Sequence, residues 1–208
     1  MSKLEILFKI AEKYGGRIET RVAVQYGVSR ATLSVYCKQN KLKRVGYGIY
    51  TLAETEKDLY FYLQQNAKKF LFSHETALFL QNLIKDEPKR PTITVVSGAT
   101  PPVMLSTICD VYYIKREVIE LGKQMVMTPH GNEVFVYDLE RTICDMVRSR
   151  KRIGEEKVLQ SIKAYLSFEN KDMERLFIYA EQFHISSYLY KFLEQAEKEY
   201  SEKIIWDR

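Results

Sequence analysis

VSRATLSVYCKQN (residues 28–40), with KLKRVGYGIYTL (residues 41–52) directly behind it, is the stretch that decides the fold. Ser29 is placed to cap a helix by accepting a first-turn backbone N–H. Leu33, Tyr36, Cys37 and Asn40 then recur at spacings of three and four, which sets them on one inward face. The opposite face carries Arg30, Ser34 and Lys38, with Thr32 and Val35 at its margins, a short polar surface suited to a DNA major groove. Residues 19–26 form a short preceding helix and Gly27 permits the sharp turn between the two, which is the layout of a helix-turn-helix. Leu42 and Arg44, then Ile49, Tyr50 and Leu52, read as two brief strands around Gly46-Tyr47-Gly48. Such a hairpin is a wing. It sets Lys41, Lys43, Arg44 and an exposed Tyr47 along the phosphate backbone or the adjoining minor groove.

The alternative is a small helical domain whose charges are merely solvated. Charge distribution favours DNA: of 208 residues with a net charge of +5, the first 52 hold ten Lys/Arg against three Asp/Glu, and the remainder holds 22 against 24. All the excess positive charge therefore sits in the candidate DNA-binding quarter. Arg17 and Arg21, before and within the first helix of the pair, are either phosphate contacts or plain solubilising charge.

A chain of this length is sufficient for two modest domains, and 46% hydrophobic with 28% charged residues is a globular composition. No apolar run reaches the roughly 20 residues that span a bilayer, and residues 1–16 lack the layout of a signal peptide, so the cytoplasm is the expected location. Cys37, Cys109 and Cys144, like His74, His130 and His184, are too scattered for a zinc or redox motif. The cysteines read as reduced apolar side chains; no metal site and no cofactor is expected.

Outside the central stretch, residues 3–14 form a first helix with Leu4, Leu7, Phe8 and Ala11 inward, stopped by Gly15-Gly16. The acidic span AETEKD after Leu52 marks a boundary, giving a winged helix-turn-helix domain over 1–53 and a second domain over 54–208. Residues 58–65, rich in aromatics, read as a helix sandwiched between the two. A helix capped by Ser73 follows, with a stripe of Ala77, Leu78, Leu80, Leu83 and Ile84. His74 in its first turn reads as structural, since no orienting carboxylate or nucleophile accompanies it in a recognisable pattern. Pro88 and Pro91 bracket a basic loop, and strands are expected over 69–72, 92–96, 111–114, 123–127 and 134–137. From Asp138 the period is helical: 138–148, with Leu139, Ile143, Met146 and Val147 inside, then 155–166, 172–183 and 186–200. The fold class is therefore α+β, a winged helix-turn-helix followed by a small sheet and a C-terminal helical bundle.

Arg148, Arg150, Lys151 and Arg152 form a second basic cluster in a helix-to-helix connection. It reads either as a solvated helix end favoured by the dipole or as a contact surface for DNA flanks, an RNA or a protein partner. P-loops, nucleophile elbows and dinucleotide fingerprints are absent, and no catalytic activity is expected. In the nearest nuclease-like set, Asp145 with Glu155 and Lys157, the Glu-x-Lys element reads as surface charge.

The order of segments, VSRATLSVYCKQNKLKRVGYGIYTL, then FSHETALFLQNL, TITVVSG and VFVYDLERTICDMVRSRKRIGEEKVLQSIKAYL, resembles the AbiEi-type abortive-infection antitoxins over about residues 3–193. The SHETAL and YDLERTICDMV helices in that order are its more specific elements. The resemblance implies a bacterial type IV toxin-antitoxin system: a winged helix that represses its own operon at promoter inverted repeats, and a C-terminal domain that counteracts a nucleotidyltransferase toxin without a stable complex. It implies DNA contacts at Ser29, Arg30, Thr32, Ser34, Lys38, Lys41, Lys43, Arg44 and Tyr47, narrowed here because related sequences often have a basic residue where Val35 stands. Two copies pairing on the inverted repeat are expected, because so small a reading module gains specificity from two half-sites. The alternatives are a nuclease-like enzyme delivered to DNA by the winged helix, and a ligand-responsive transcriptional regulator.

Overall fold

A computed structural model describes residues 2–14, 16–53, 58–67 and 69–206. The first unit runs α1 (Lys3–Lys13), β1 (Ile18–Glu19), α2 (Thr20–Gln25), α3 (Arg30–Lys38), β2 (Leu42–Gly46) and β3 (Ile49–Leu52). Ser2 and Glu5 close a reciprocal capping box at the start of α1. Leu7, Ile10, Ala11, Ile18, Ala23, Leu33, Leu42 and Leu52 of these elements make one core with Val28 of the turn between α2 and α3. Two details differ from the sequence expectation. Phe8 is exposed and Ile10 takes its place in the core, and β1 pairs with β3 to complete a three-stranded antiparallel sheet ordered β1-β3-β2. A two-residue strand is too short to show a period, so it left no signal in the sequence.

The span 54–57, where the boundary is expected, lies outside the described residues. Beyond it come α4 (Leu59–Asn66), β4 (Leu71–Phe72), α5 (His74–Leu80), β5 (Thr92–Val96), α6 (Val103–Ile108), β6 (Asp110–Ile114), β7 (Lys123–Met127) and β8 (Glu133–Tyr137). The five strands form one mixed sheet ordered β6-β5-β4-β8-β7, with β5–β6 and β4–β8 parallel and the other pairs antiparallel. The helical part follows as α7 (Leu139–Arg148), α8 (Arg150–Ile153), α9 (Glu155–Leu166), α10 (Met173–Gln182) and α11 (Ser186–Trp206). The architecture is α+β.

Several expectations are corrected here. Ser73 makes no cap bond to α5; its hydroxyl accepts from Thr94 and contacts His74 Nδ1 at 2.8 Å, because the sheet beneath offers nearer partners. The same helix ends at Leu80, before Asn82 at φ +59, so Leu83 and Ile84 pack against the helical core from a loop. A short helix, α6, follows Pro102, in a stretch where no helix was expected; proline is tolerated ahead of a helix because no N–H bond is lost there. The α7 helix is buried on every side, Leu139 to Val147 without a break, rather than on one apolar stripe. Glu140 escapes an unpaired fate by accepting from the Tyr165 hydroxyl at 2.9 Å and the Asp172 N–H at 3.0 Å.

The two parts meet at α4. Tyr60 and Leu63 of α4 belong to the sheet's core, and Tyr62 packs at the margin of that core while its hydroxyl end fills the space beside Gly16. At φ +81, Gly16 has a left-handed backbone, and a Cβ there would fall 0.9 Å from Tyr62 Oη. Gly16→Ala is therefore expected to cost about 2 kcal/mol, from the left-handed backbone and from displacing the ring. Urea unfolding of Gly16→Ala, Tyr62→Ala and the double variant checks this: the two substitutions should couple, and strict additivity would show that the ring does not occupy that space.

Candidate nucleic-acid interface

Gly27 ends α2 at φ +79, its N–H donating to Val24 O at 2.9 Å, and the Val28 N–H donates to Ala23 O at 2.8 Å. This closed turn fixes where α3 begins. Ser29 has extended backbone and its Oγ accepts from the Thr32 N–H at 3.1 Å, with the two hydroxyls 2.9 Å apart. Ser29 and Thr32 thus serve the cap first. Leu33 is fully buried, and Tyr36 and Cys37 are half-buried against the same core. Asn40 is not on that inward face: it is exposed at φ +52, in the left-handed conformation that terminates the helix.

Arg30, Ser34 and Lys38 are exposed along the outer face of α3, with Val35 exposed between them. The hairpin packs against α3 and is anchored at its turn. Both the Thr20 N–H and Thr20 Oγ1 donate to Gly48 O, at 2.8 and 3.0 Å, tying the β2–β3 turn to the start of α2. Tyr47 at the tip is 96% exposed, with the Arg44 guanidinium 5.8 Å from its ring centroid. Lys41 and Lys43 are exposed on the same hairpin, Lys41 lying over the Tyr36 ring.

Arg17 and Arg21 part company. Arg17 is only 15% exposed and pairs with Glu19 at 3.0 Å, so its charge is turned inward; Arg21 is 80% exposed and reaches the same carboxylate at 2.7 Å. Of the two, Arg21 alone is displayed to a large partner.

The second basic cluster is not one surface. Arg148 bonds the buried Asp145 and lies over the Phe183 ring, while Arg150 stacks on Tyr188 at 3.5 Å. Arg152 stacks on Tyr112 at 4.0 Å and donates to Val111 O at 2.8 Å; Lys151 is exposed between them. The expected connection is itself the short helix α8, which fans these side chains toward α11 on one side and the β6 edge on the other.

Asp145 is buried and paired. It is 1% exposed, its two oxygens being taken by Arg141 at 3.0 Å and by Arg148, while Lys157 pairs with Glu75 at 2.8 Å. Glu155 is exposed at the start of α9. The sequence reading passed over Lys89 and Arg90, which the structure brings beside the hairpin. They line, with Lys43 and Arg44, a cleft of about 380 Å³. Their only signal was the basic loop between two prolines.

Compared with models of protein families and with curated proteins, the chain matches no family model and no curated relative. No helix among the described residues is long and apolar enough to cross a membrane.

Proposed function

We propose that residues 1–53 are a winged helix-turn-helix domain that binds duplex DNA, and that the chain is a bacterial repressor of its own operon. In this reading residues 54–208 form an antitoxin domain that counteracts a nucleotidyltransferase toxin in the cytoplasm without a stable complex. The observation that carries the DNA part is the outer face of α3. Arg30, Ser34 and Lys38 stand exposed on a helix whose other face is locked into a core, beside a hairpin carrying Lys41, Lys43, Arg44 and a 96% exposed tyrosine. A rigid polar helix with a basic hairpin beside it offers base contacts from the first and backbone contacts from the second. The antitoxin part is supported by the resemblance in segment order described above, and it rests on that alone.

Binding of the purified protein to the DNA upstream of its own gene, across a salt series, tests the first part. Arg30→Ala or Lys38→Ala is expected to lose about 1–3 kcal/mol where a base contact is removed. Lys43→Ala should weaken all sequences alike and lower the salt slope by about 1. Wild-type binding no tighter than to random DNA would overturn the reading. For the second part, co-expression with the nucleotidyltransferase of a neighbouring gene should restore growth without co-purification; undiminished toxicity would exclude it.

A further inference from the structure

The hairpin does not stand apart from the rest of the molecule. Gly46 at the end of β2 lies against α6, where a Cβ would sit 3.8 Å from Thr107 Cγ2. From there a line of cations continues along β6, the edge strand of the five-stranded sheet. Lys89 is exposed in the cleft it shares with Lys43 and Arg44. Arg90 beside it is clamped by Asp110 at 3.1 Å and by the carbonyls of Thr107 and Cys109, each at 3.0 Å. One residue further along the strand, Val111 O accepts from Arg152, and Lys151 is exposed next to it.

Of the acids on this edge, Asp86 is exposed in a cleft it shares with Lys89, while Asp110 and Glu87 are committed. Asp110 pairs with Arg90, and Glu87 accepts from the Tyr60 hydroxyl at 2.8 Å. Arg152 is also held rigidly, since Tyr112 beneath it stacks in turn on the buried His74 ring at 3.6 Å. A guanidinium fixed before contact loses little entropy on meeting a phosphate, which is what a backbone-tracking surface needs.

From this geometry we infer that the second part of the chain extends the DNA interface. Lys89, Lys151 and Arg152 contact phosphates of the duplex flanking the sequence read by α3. The inference rests on the DNA-binding reading above and adds to it a footprint that the first 53 residues could not produce.

The test uses the full chain and two duplexes from the DNA upstream of its gene. One is trimmed to a single half-site of the inverted repeat, with none of the flanking duplex, and the other is extended by about one helical turn, roughly 10 bp, on each side. The triple variant Lys89→Ala/Lys151→Ala/Arg152→Ala is compared with wild type, Arg90 being left in place because it holds the β6 edge. On the extended duplex the variant should bind about tenfold more weakly at moderate salt, with a log–log salt slope shallower by about 0.9 for each lost contact. On the trimmed duplex the two proteins should bind alike. Because Arg152→Ala also removes a ring contact, Lys89→Glu/Lys151→Glu, which touches no packing, must show the same selective loss. Equal binding of variant and wild type to the extended duplex overturns the inference and leaves the α3 reading intact. Failure of wild type on both duplexes overturns the α3 reading itself.

Discussion

Replacing Arg141 with methionine is expected to destabilise the fold by about 3–5 kcal/mol, the cost of leaving a buried carboxylate without its principal partner. Arg141 is fully buried in the first turn of α7, its Nε donating to Asp145 at 3.0 Å and its Nη1 to the carbonyls of Val118 and Leu121 at 2.8 and 3.0 Å. The guanidinium plane lies between two rings, 4.1 Å from the Tyr137 centroid and 4.4 Å from that of Phe183. One side chain thus ties the helical core to the loop entering β7. Methionine fills much of the volume but provides no charge and no donors. The midpoint of thermal unfolding should fall by roughly 6–20 °C for a chain of this size. Arg141→Lys should recover only part of the loss, since an ammonium cannot reach a carboxylate and two carbonyls in one plane while stacking between rings. Adding Asp145→Asn to Arg141→Met should be less damaging than the sum of the single substitutions, because the stranded charge is removed. Strict additivity in urea unfolding would refute this account of the ion pair.

His74 should make the stability fall as the pH drops from about 6.5 toward 4. It is 2% exposed, its ring nitrogens within hydrogen-bond distance of Ser73 Oγ (2.8 Å) and Ser149 Oγ (3.0 Å). Burial holds its pKa down at about 4, against the 6.5 of a free imidazole; Asp145 pulls it upward, and Arg148, Arg152 and Arg141 push it lower. The folded state therefore keeps the ring neutral where the unfolded chain has already bound a proton. Between pH 6.5 and 4 the unfolded state carries more protons, so stability is complete above the upper value and drains away as pH falls toward the lower. The shift corresponds to about 3 kcal/mol. Carboxylates titrate in the same range, so the measurement is a difference: urea midpoints of wild type and His74→Gln at several pH values from 4 to 7. The gap between them should narrow as pH falls, because glutamine has no proton to gain. A gap that stays constant would mean that His74 does not titrate in this window.

The backbone at His74 adds a second constraint. Its φ is +48, which costs a non-glycine residue roughly 1–2 kcal/mol, and it opens a helix whose expected cap, Ser73, is bonded elsewhere. The surrounding hydroxyls hold it there: Thr94 donates to Ser73, and the Thr76 N–H donates to Thr92 Oγ1 at 3.0 Å.

Local chemistry was sufficient for much of this molecule. The cap at Ser29, the turn at Gly27, the hairpin around Gly48 and the helix over 155–166 each follow from residues within one or two turns of one another, and each forms as the sequence implies. The exposed face of α3 was legible for the same reason, because a period of 3.6 sorts side chains before any tertiary contact exists. What depended on distant partners was not legible. Arg141, Glu140 and Asp145 read as the polar side of an amphipathic helix, and only the packing of α10 and the loop before β7 over that side buries them. Arg148 to Arg152 read as one basic cluster, and Asp145, Tyr188 and Tyr112, residues from three other places in the fold or turn, pull it apart. Lys89 and Arg90 read as a loop, and the seating of the hairpin on α6 sets them beside Lys43 and Arg44. Sequence by itself determined the longer helices and strands and which face of α3 is polar, since these are settled by neighbours along the chain; the short elements β1, α6 and α8 were not among them. Which charges are buried and which stand together was decided by the tertiary structure, because a side chain's partner across the fold leaves no period in its own segment.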